Sequence, residues 1–359
     1  MIKTINGWRA LFALMIVVFH VGATSFEEMT WAGVTFFFMA SGFLLAMKHP
    51  FKQLDGASWR RFAWNHAVKL FPLHWLTLAL WLVAMALLGL LVIKPLALTL
   101  NATLLHSWSL THSIYFSYNK FSWFLSTLLF CYLCYPLLAR WFAPLRLRHK
   151  GIILIVLAII DFIVLAGTDD YGRTALYVFP PVRLIDFAIG ITLAHVCQWL
   201  KGSRVLGKSA NGTDAELVAV ALLSVMVMTC QSYDSLLPWT DAILWWLPIA
   251  AILVACRLYD RREGFIGKIL ASKPLQWLGD ISFEIFMLQG IAALVYNYWI
   301  APVMAHLGVQ YVYNEVAADL FGTSAPGLIV WLILPVDILL AWAVNRLFTR
   351  PVTCLLRRD

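Results

Sequence analysis

Two groups able to do chemistry stand near the start of the sequence, where side chains are otherwise apolar. His20 ends the stretch Leu11-Phe-Ala-Leu-Met-Ile-Val-Val-Phe-His20, in which no other side chain is polar. A neutral imidazole, with a reference pKa of about 6.5, can take a proton from a weak nucleophile at working pH. Arg9 precedes it, and a guanidinium grips phosphates and carboxylates through paired donors. Over the eleven-residue step from Arg9 to His20, 100° per residue sums to ~1100°, about 20° past three turns. In a helix both side chains therefore leave one face, separated by a rise of roughly 16 Å. The plainer alternative is an arginine that follows charge topology and a histidine bonded to a neighbouring helix.

The rest of the chain supplies the setting. Hydrophobic residues make up 62% of the 359 positions and charged residues 13%, with a mean hydropathy of +0.79. Soluble domains are closer to half apolar and a quarter charged. Apolar runs near the ~20 residues needed to cross a ~30 Å hydrocarbon core fall at 8–24, 30–47, 70–93, 121–139, 151–167, 182–200, 214–231, 241–258, 277–299 and 327–348. Backbone groups in lipid must pair within their own segment, so the expected fold is all-α and polytopic, with about ten transmembrane helices.

Alternate connections carry the cations, and 23 of the 27 fall on one side if every run crosses; only Lys94, Lys120, Arg173 and Arg183 remain for the other. Cationic short loops stay in the cytoplasm, so both termini are expected there. The net charge of +8 then needs only topology and anionic lipid headgroups, and no nucleic-acid partner. The first run begins at Trp8 without a small-residue cleavage site, so it is expected to stay as helix one. The longest connections, 94–120 and 300–326, have no linker composition, and residues 1–359 are expected to form a single integral-membrane domain. The six cysteines lie in or beside apolar runs and are expected to pack rather than bind metal or do redox work. The sequons at Asn101 and Asn211 are weak.

Ionisable groups inside apolar runs are costly, and each is a functional candidate until a partner is found. Glu284 is a candidate for an orienting or donor-site carboxylate. The others have plainer expectations. Asp186 stands three residues after Arg183, a helical ion-pair spacing. Asp337 follows Pro335, where a kink frees backbone groups that a side chain can bond. His195 and Asp161 lie toward helix ends, and His74, just inside the third run, is expected at the cytoplasmic headgroups.

The segment Asn6-Gly-Trp-Arg9 through His20 resembles the start of the bacterial membrane acyltransferase family three, whose first helix carries an Arg, ten residues, then a His. Thr35-Phe-Phe-Phe-Met-Ala-Ser41-Gly42-Phe43 is similar to that family's second-helix segment, and Lys69-Leu-Phe-Pro72-Leu-His-Trp75 to its Arg-x-x-Pro-x-Tyr-Trp. Ser122-Trp123-Phe-Leu-Ser126 followed by Tyr132-Leu-Cys-Tyr-Pro136 resembles the fourth-helix motif, and Leu278-Gly279-Asp-Ile-Ser282-Phe-Glu284 the penultimate-helix motif. Together these matches span nearly the whole chain in order. Departures are Asn65, His66 and Lys69 in place of an Arg-Arg-x-x-Arg, with Arg60 and Arg61 upstream. Leu128 and Gln289 stand where many members carry Glu and His, so neither is expected to do acid–base chemistry.

The resemblance implies an integral-membrane O-acyltransferase of the bacterial inner membrane. It would move an acyl group, most often acetyl, from cytoplasmic acyl-CoA to a sugar hydroxyl of an exported polysaccharide, with no metal. His20 and Glu284 are then the catalytic candidates. Arg9, Arg60, Arg61 and Lys69 would hold the polyanionic donor, and His106, Tyr118, Trp123 and Ser126 would meet the carbohydrate, although an aromatic belt predicts the same residue types. The rival classes are a polytopic transporter or flippase, and a non-catalytic membrane scaffold of a polysaccharide assembly system.

Overall fold

The computed structural model describes residues 2–20, 27–48, 56–202, 212–233, 243–260, 264–295 and 333–357, with Tyr298, Val303, His306 and Trp331. Among them there are helices, turns and loops but no strand. Six helices are long and apolar enough to cross a membrane, with a seventh crossing if the bent pair Lys273–Asp280 and Ser282–Val295, at 68°, makes one span. The protein is a multi-pass membrane protein. Of the other expected spans, 241–258 appears as the shorter helix Ile243–Leu258, and 327–348 lies partly outside the described residues.

The principal helices are α1 (Lys3–His20), α2 (Glu27–Lys48), α3 (Gly56–Leu87), α4 (Pro95–Ala102), α5 (Trp123–Leu137), α6 (Leu147–Ala166), α7 (Pro180–Gly202), α8 (Gly212–Ser232), α9 (Trp246–Leu258), α10 (Lys273–Asp280), α11 (Ser282–Val295), α12 (Ile333–Val344) and α13 (Arg350–Leu356). α1 lies inside the bundle, with Ile5, Ala10, Phe12, Ala13, Ile16 and Val17 fully buried and α2, α10 and α11 packed around it. That position lets a short helix carry Arg9 and His20 without exposing either to lipid. α6 and α8 are peripheral and turn Ile152, Ile155, Ile163, Val218, Val225 and Met228 outward, as a lipid-facing surface requires.

α2 and α7 cross backbone to backbone. A Cβ on Gly42 would overlap the carbonyl oxygen of Phe187, and one on Gly190 would overlap that of Met39. Small residues permit this approach where lipid gives no hydrophobic drive for helices to associate. Gly190→Leu is expected to cost about 1–3 kcal/mol or more by overpacking and to show as loss of folded protein in detergent thermal melts.

Other buried charges are settled locally. Arg183 and Asp186, both at most 1% exposed, form an ion pair at 3.0 Å, to which Trp246 adds an Nε1–H donated to Asp186 at 2.5 Å and the Tyr177 ring a face 4.3 Å from the guanidinium. Asp337 differs from expectation. It is fully buried, and neither carboxyl oxygen has a hydrogen-bond partner among the described residues, so the backbone groups near Pro335 are not what it bonds. His74 also differs, because α3 begins at Gly56 rather than near residue 70. The ring therefore lies well inside the helix, fully buried, with Nε2 2.8 Å from the carbonyl oxygen of Asn101 on α4.

Candidate active site

α1, α2, α3, α11 and α13 surround a cavity of about 1370 Å³. Its walls carry Lys3, Arg9, Lys48, Arg61, Lys69, Arg350 and Arg357 against only three carboxylates, Asp260, Asp280 and Glu284. Among the described residues Lys3, Lys48, Arg61, Lys69, Arg350 and Arg357 make no salt bridge. The guanidinium of Arg9 is within electrostatic reach of Glu284 and Asp280, and Lys69 is similarly close to Arg357, Lys48 and Arg9. Like charges gathered in a recess stabilise a polyanion there. Deeper in, the wall becomes apolar and aromatic, with Phe37, Phe124, Leu128, Tyr132 and Phe286.

The last part of this wall comes from an unusual helix end. Pro351 cannot donate a hydrogen bond, and its ring crowds the carbonyl four residues earlier. Between α12 and α13 the chain accordingly widens into a π-helical turn, Asn345–Thr349. Such turns commonly re-aim side chains at functional sites. Here Asn345 Nδ2 donates to Glu284 Oε1 at 2.8 Å, fixing that carboxylate at the cavity wall. α13 then carries Arg350, Thr353 and Cys354 along the mouth, and Arg357 follows directly. Trp64 Nε1 donates to the Leu356 carbonyl at 2.8 Å, tying this segment to α3.

His20 closes α1 at the far end from Lys3 and does not line the cavity. Its Nδ1 is 3.0 Å from Oε1 of Gln289, and its ring meets Phe121 edge-on at 4.9 Å. Phe121 in turn contacts Phe286 at 6.0 Å, and Phe286 forms part of the cavity's inner wall. Phe286 and Gln289 are three residues apart on α11, a rise of about 4.5 Å. The cavity thus ends one helical turn short of the imidazole, with two aromatic rings between them.

The structure brings Arg9, Arg61, Lys69 and Glu284 into one wall; Arg60 is exposed and lies off it. Glu284 sits with Arg9, whereas the side chain touching His20 is Gln289. The residues named for the acceptor lie elsewhere. Ser126 Oγ donates to the Leu104 carbonyl at 2.6 Å, and His106 Nε2 is 3.1 Å from Ser122 Oγ; both side chains are essentially fully buried, and Trp123 is 5% exposed. Burial, with the nearby His74 ring adding to it, pushes the His106 pKa down to about 3, so that ring is neutral at working pH. Tyr118, at a φ of 56°, holds the backbone of Lys94 through its hydroxyl. In this conformation these four residues brace the segment after α3.

Sequence reasoning missed Gln289 and the cations of the final helix. Gln289 is an uncharged side chain, and the final cations also serve to orient the chain, so residue type alone singles out neither. An amphipathic segment after the last apolar run, ending in Arg357, was the available signal for those cations.

The described residues form an all-helical membrane bundle with a cationic recess and a half-buried histidine beyond its inner end. Residues 2–346 match the family described as an acyltransferase domain, and the chain belongs to this acyltransferase family, acyltransferase 3. The protein is a membrane acyltransferase. No curated protein and no solved structure matches it. The cavity residues from Thr349 to Arg357 lie beyond the matched stretch.

Proposed function

We propose that the protein is an O-acyltransferase of the bacterial inner membrane, taking an acyl group, acetyl in the reading adopted, from cytoplasmic acyl-CoA to a sugar hydroxyl on the opposite side. The single observation that carries this reading is the cavity, with seven cations on its walls and an aromatic inner end one turn below His20. Its cations come from α1, the end of α2, the first turns of α3 and the chain's last described segment, which supports a cytoplasmic mouth with both termini beside it. Arg9, Arg61, Lys69, Arg350 and Arg357 hold the donor's phosphates, and the pantetheine arm runs along Phe37 and Phe124. To meet His20, the thioester displaces the Phe121 and Phe286 rings, whose mutual contact is worth only about 0.5–1.5 kcal/mol.

At the inner end the neutral imidazole takes the proton of the sugar hydroxyl as its oxygen attacks the thioester carbonyl. The new C–O bond forms, the C–S bond breaks, and the thiolate leaves with the proton that the imidazolium returns. Glu284 keeps Arg9 in position against the donor. No described group of three or more His, Cys, Asp or Glu is placed to hold a metal, and the steps above use none.

Cys354 offers a direct test of the donor side, since it lines the mouth and is exposed while Cys131, Cys197, Cys230 and Cys256 are buried. Desulfo-coenzyme A, which has no thiol to compete, is expected to slow maleimide labelling of Cys354 at least about tenfold at 100 times its Kd, where about 1% of the sites remain free by mass action. Labelling lost in Cys354→Ser assigns the signal. Unchanged labelling under saturating desulfo-coenzyme A overturns the donor assignment, and purified protein that passes no labelled acetyl to any glycan acceptor returns the carrier class to consideration.

A further inference from the structure

One side chain from another helix holds the His20 ring, and that side chain is itself held. Nε2–H of Gln289 donates to the carbonyl oxygen of Phe286 at 2.8 Å, and its Oε1 faces Nδ1 of His20 at 3.0 Å. An amide nitrogen only donates and an amide oxygen only accepts. With the nitrogen committed to a carbonyl, the oxygen presented to His20 requires a proton on Nδ1. The opposite amide orientation would set two oxygens against each other at Phe286, so the network assigns the flip. Gln289 is fully buried, which leaves no water to substitute for either bond. The ring's other hydrogen-bonding neighbour is the Ile16 carbonyl one turn back in α1, a second acceptor.

We propose that Gln289 is a positioning residue that locks His20 in the Nδ1–H tautomer and so leaves Nε2 as the nitrogen that receives the acceptor's proton. This rests on the reading of His20 as the base. The proton leaves the sugar hydroxyl for Nε2 as the C–O bond forms, and passes from Nε2 to the departing sulfur as the C–S bond breaks; Nδ1–H stays with Gln289 throughout. A neutral partner suits both halves of the cycle. A carboxylate in its place would hold the imidazolium and delay the second transfer, whereas the amide orients the ring without trapping the proton. Among the described residues the charged side chain nearest in effect to the ring is Lys120.

The tautomer can be read without activity. In protein labelled with ¹⁵N-histidine and reconstituted in bilayers, the His20 signals are those lost in His20→Ala. Wild type is expected to give a protonated Nδ1 and an unprotonated Nε2, and Gln289→Leu to give a mixture of tautomers. A protonated Nε2 in wild type, or the same single tautomer in Gln289→Leu, overturns the proposal.

Kinetics supply the second arm. Gln289→Leu is expected to lower kcat about tenfold or more with the KM for acyl-CoA unchanged, because a base presenting the wrong nitrogen is misaligned rather than the donor site lost. Gln289→Glu places a charge beside the ring and should move the acid limb of the kcat profile to higher pH by about one unit or more. An unmoved limb in a folded, active Gln289→Glu protein also overturns it. Full transfer by His20→Ala would instead remove the base itself, and would leave the tautomer measurement standing on its own.

Discussion

His20→Ala is expected to lower acyl transfer by roughly 10²–10⁴-fold, the usual contribution of a positioned base, with normal protein abundance in the membrane. The reason is chemical rather than structural. A sugar hydroxyl is a poor nucleophile, and among the described residues no other ionisable side chain is bonded to this ring; Glu284 lies lower, fastened to Asn345. Removing the ring leaves Gln289 Oε1 without its partner, at a cost of about 1–3 kcal/mol, so His20→Asn, which can still donate a hydrogen bond, separates the two effects. Acyl groups on surface glycans, measured by mass spectrometry beside an immunoblot of the membrane fraction, read both. Wild-type acylation in either variant would end the assignment of His20 as base.

The same residue shows where the sequence was informative. Arg9 and His20 could be put on one helical face by counting, because a helix converts sequence spacing into angle with little error over three turns. Apolar runs likewise marked the spans, since 30–47, 121–139, 182–200 and 214–231 all fall within helices or helical segments of the structure. Hydropathy reports what lipid touches rather than where a helix begins, and α3 therefore starts at Gly56, well before the apolar run. Its polar first turns carry Arg61, His66 and Lys69 into the cavity, and the same extension takes His74 away from the headgroups and under α4.

What counting could not supply was contact between distant segments. Gln289 is 269 positions from His20, and nothing local in Phe286-Met-Leu-Gln289 says that its amide meets an imidazole on α1. The aromatic rings between cavity and histidine were equally invisible, because phenylalanines in a membrane helix are expected everywhere. The acceptor candidates show the converse, side-chain chemistry whose placement the sequence leaves open. His106, Trp123 and Ser126 have sugar-binding side chains, yet burial turns them inward to brace a loop. Residue type records capability, and packing decides use.

Arg9→Ala is expected to weaken donor use by roughly 10–100-fold in kcat/KM, carried mainly by the KM for acyl-CoA, in line with about 1.5–3 kcal/mol for a hydrogen bond to a charged group. Arg9 differs from the other cavity cations in depth. Lys48, Arg61 and Arg357 belong to the mouth, where water screens them and each contributes less, whereas Arg9 projects from the buried central helix beside Glu284. Single neutralisations at the mouth should therefore cost only a few-fold each. Raising ionic strength from 50 to 500 mM should weaken wild type and Arg9→Ala in parallel, because the screened contribution comes from the mouth, which the two proteins share. Arg9→Lys restores charge without the planar fork, and partial recovery of KM in that variant identifies bidentate recognition of an anion. A KM for acyl-CoA unchanged in Arg9→Ala, with kcat reduced instead, would move Arg9 from donor binding to the chemical step.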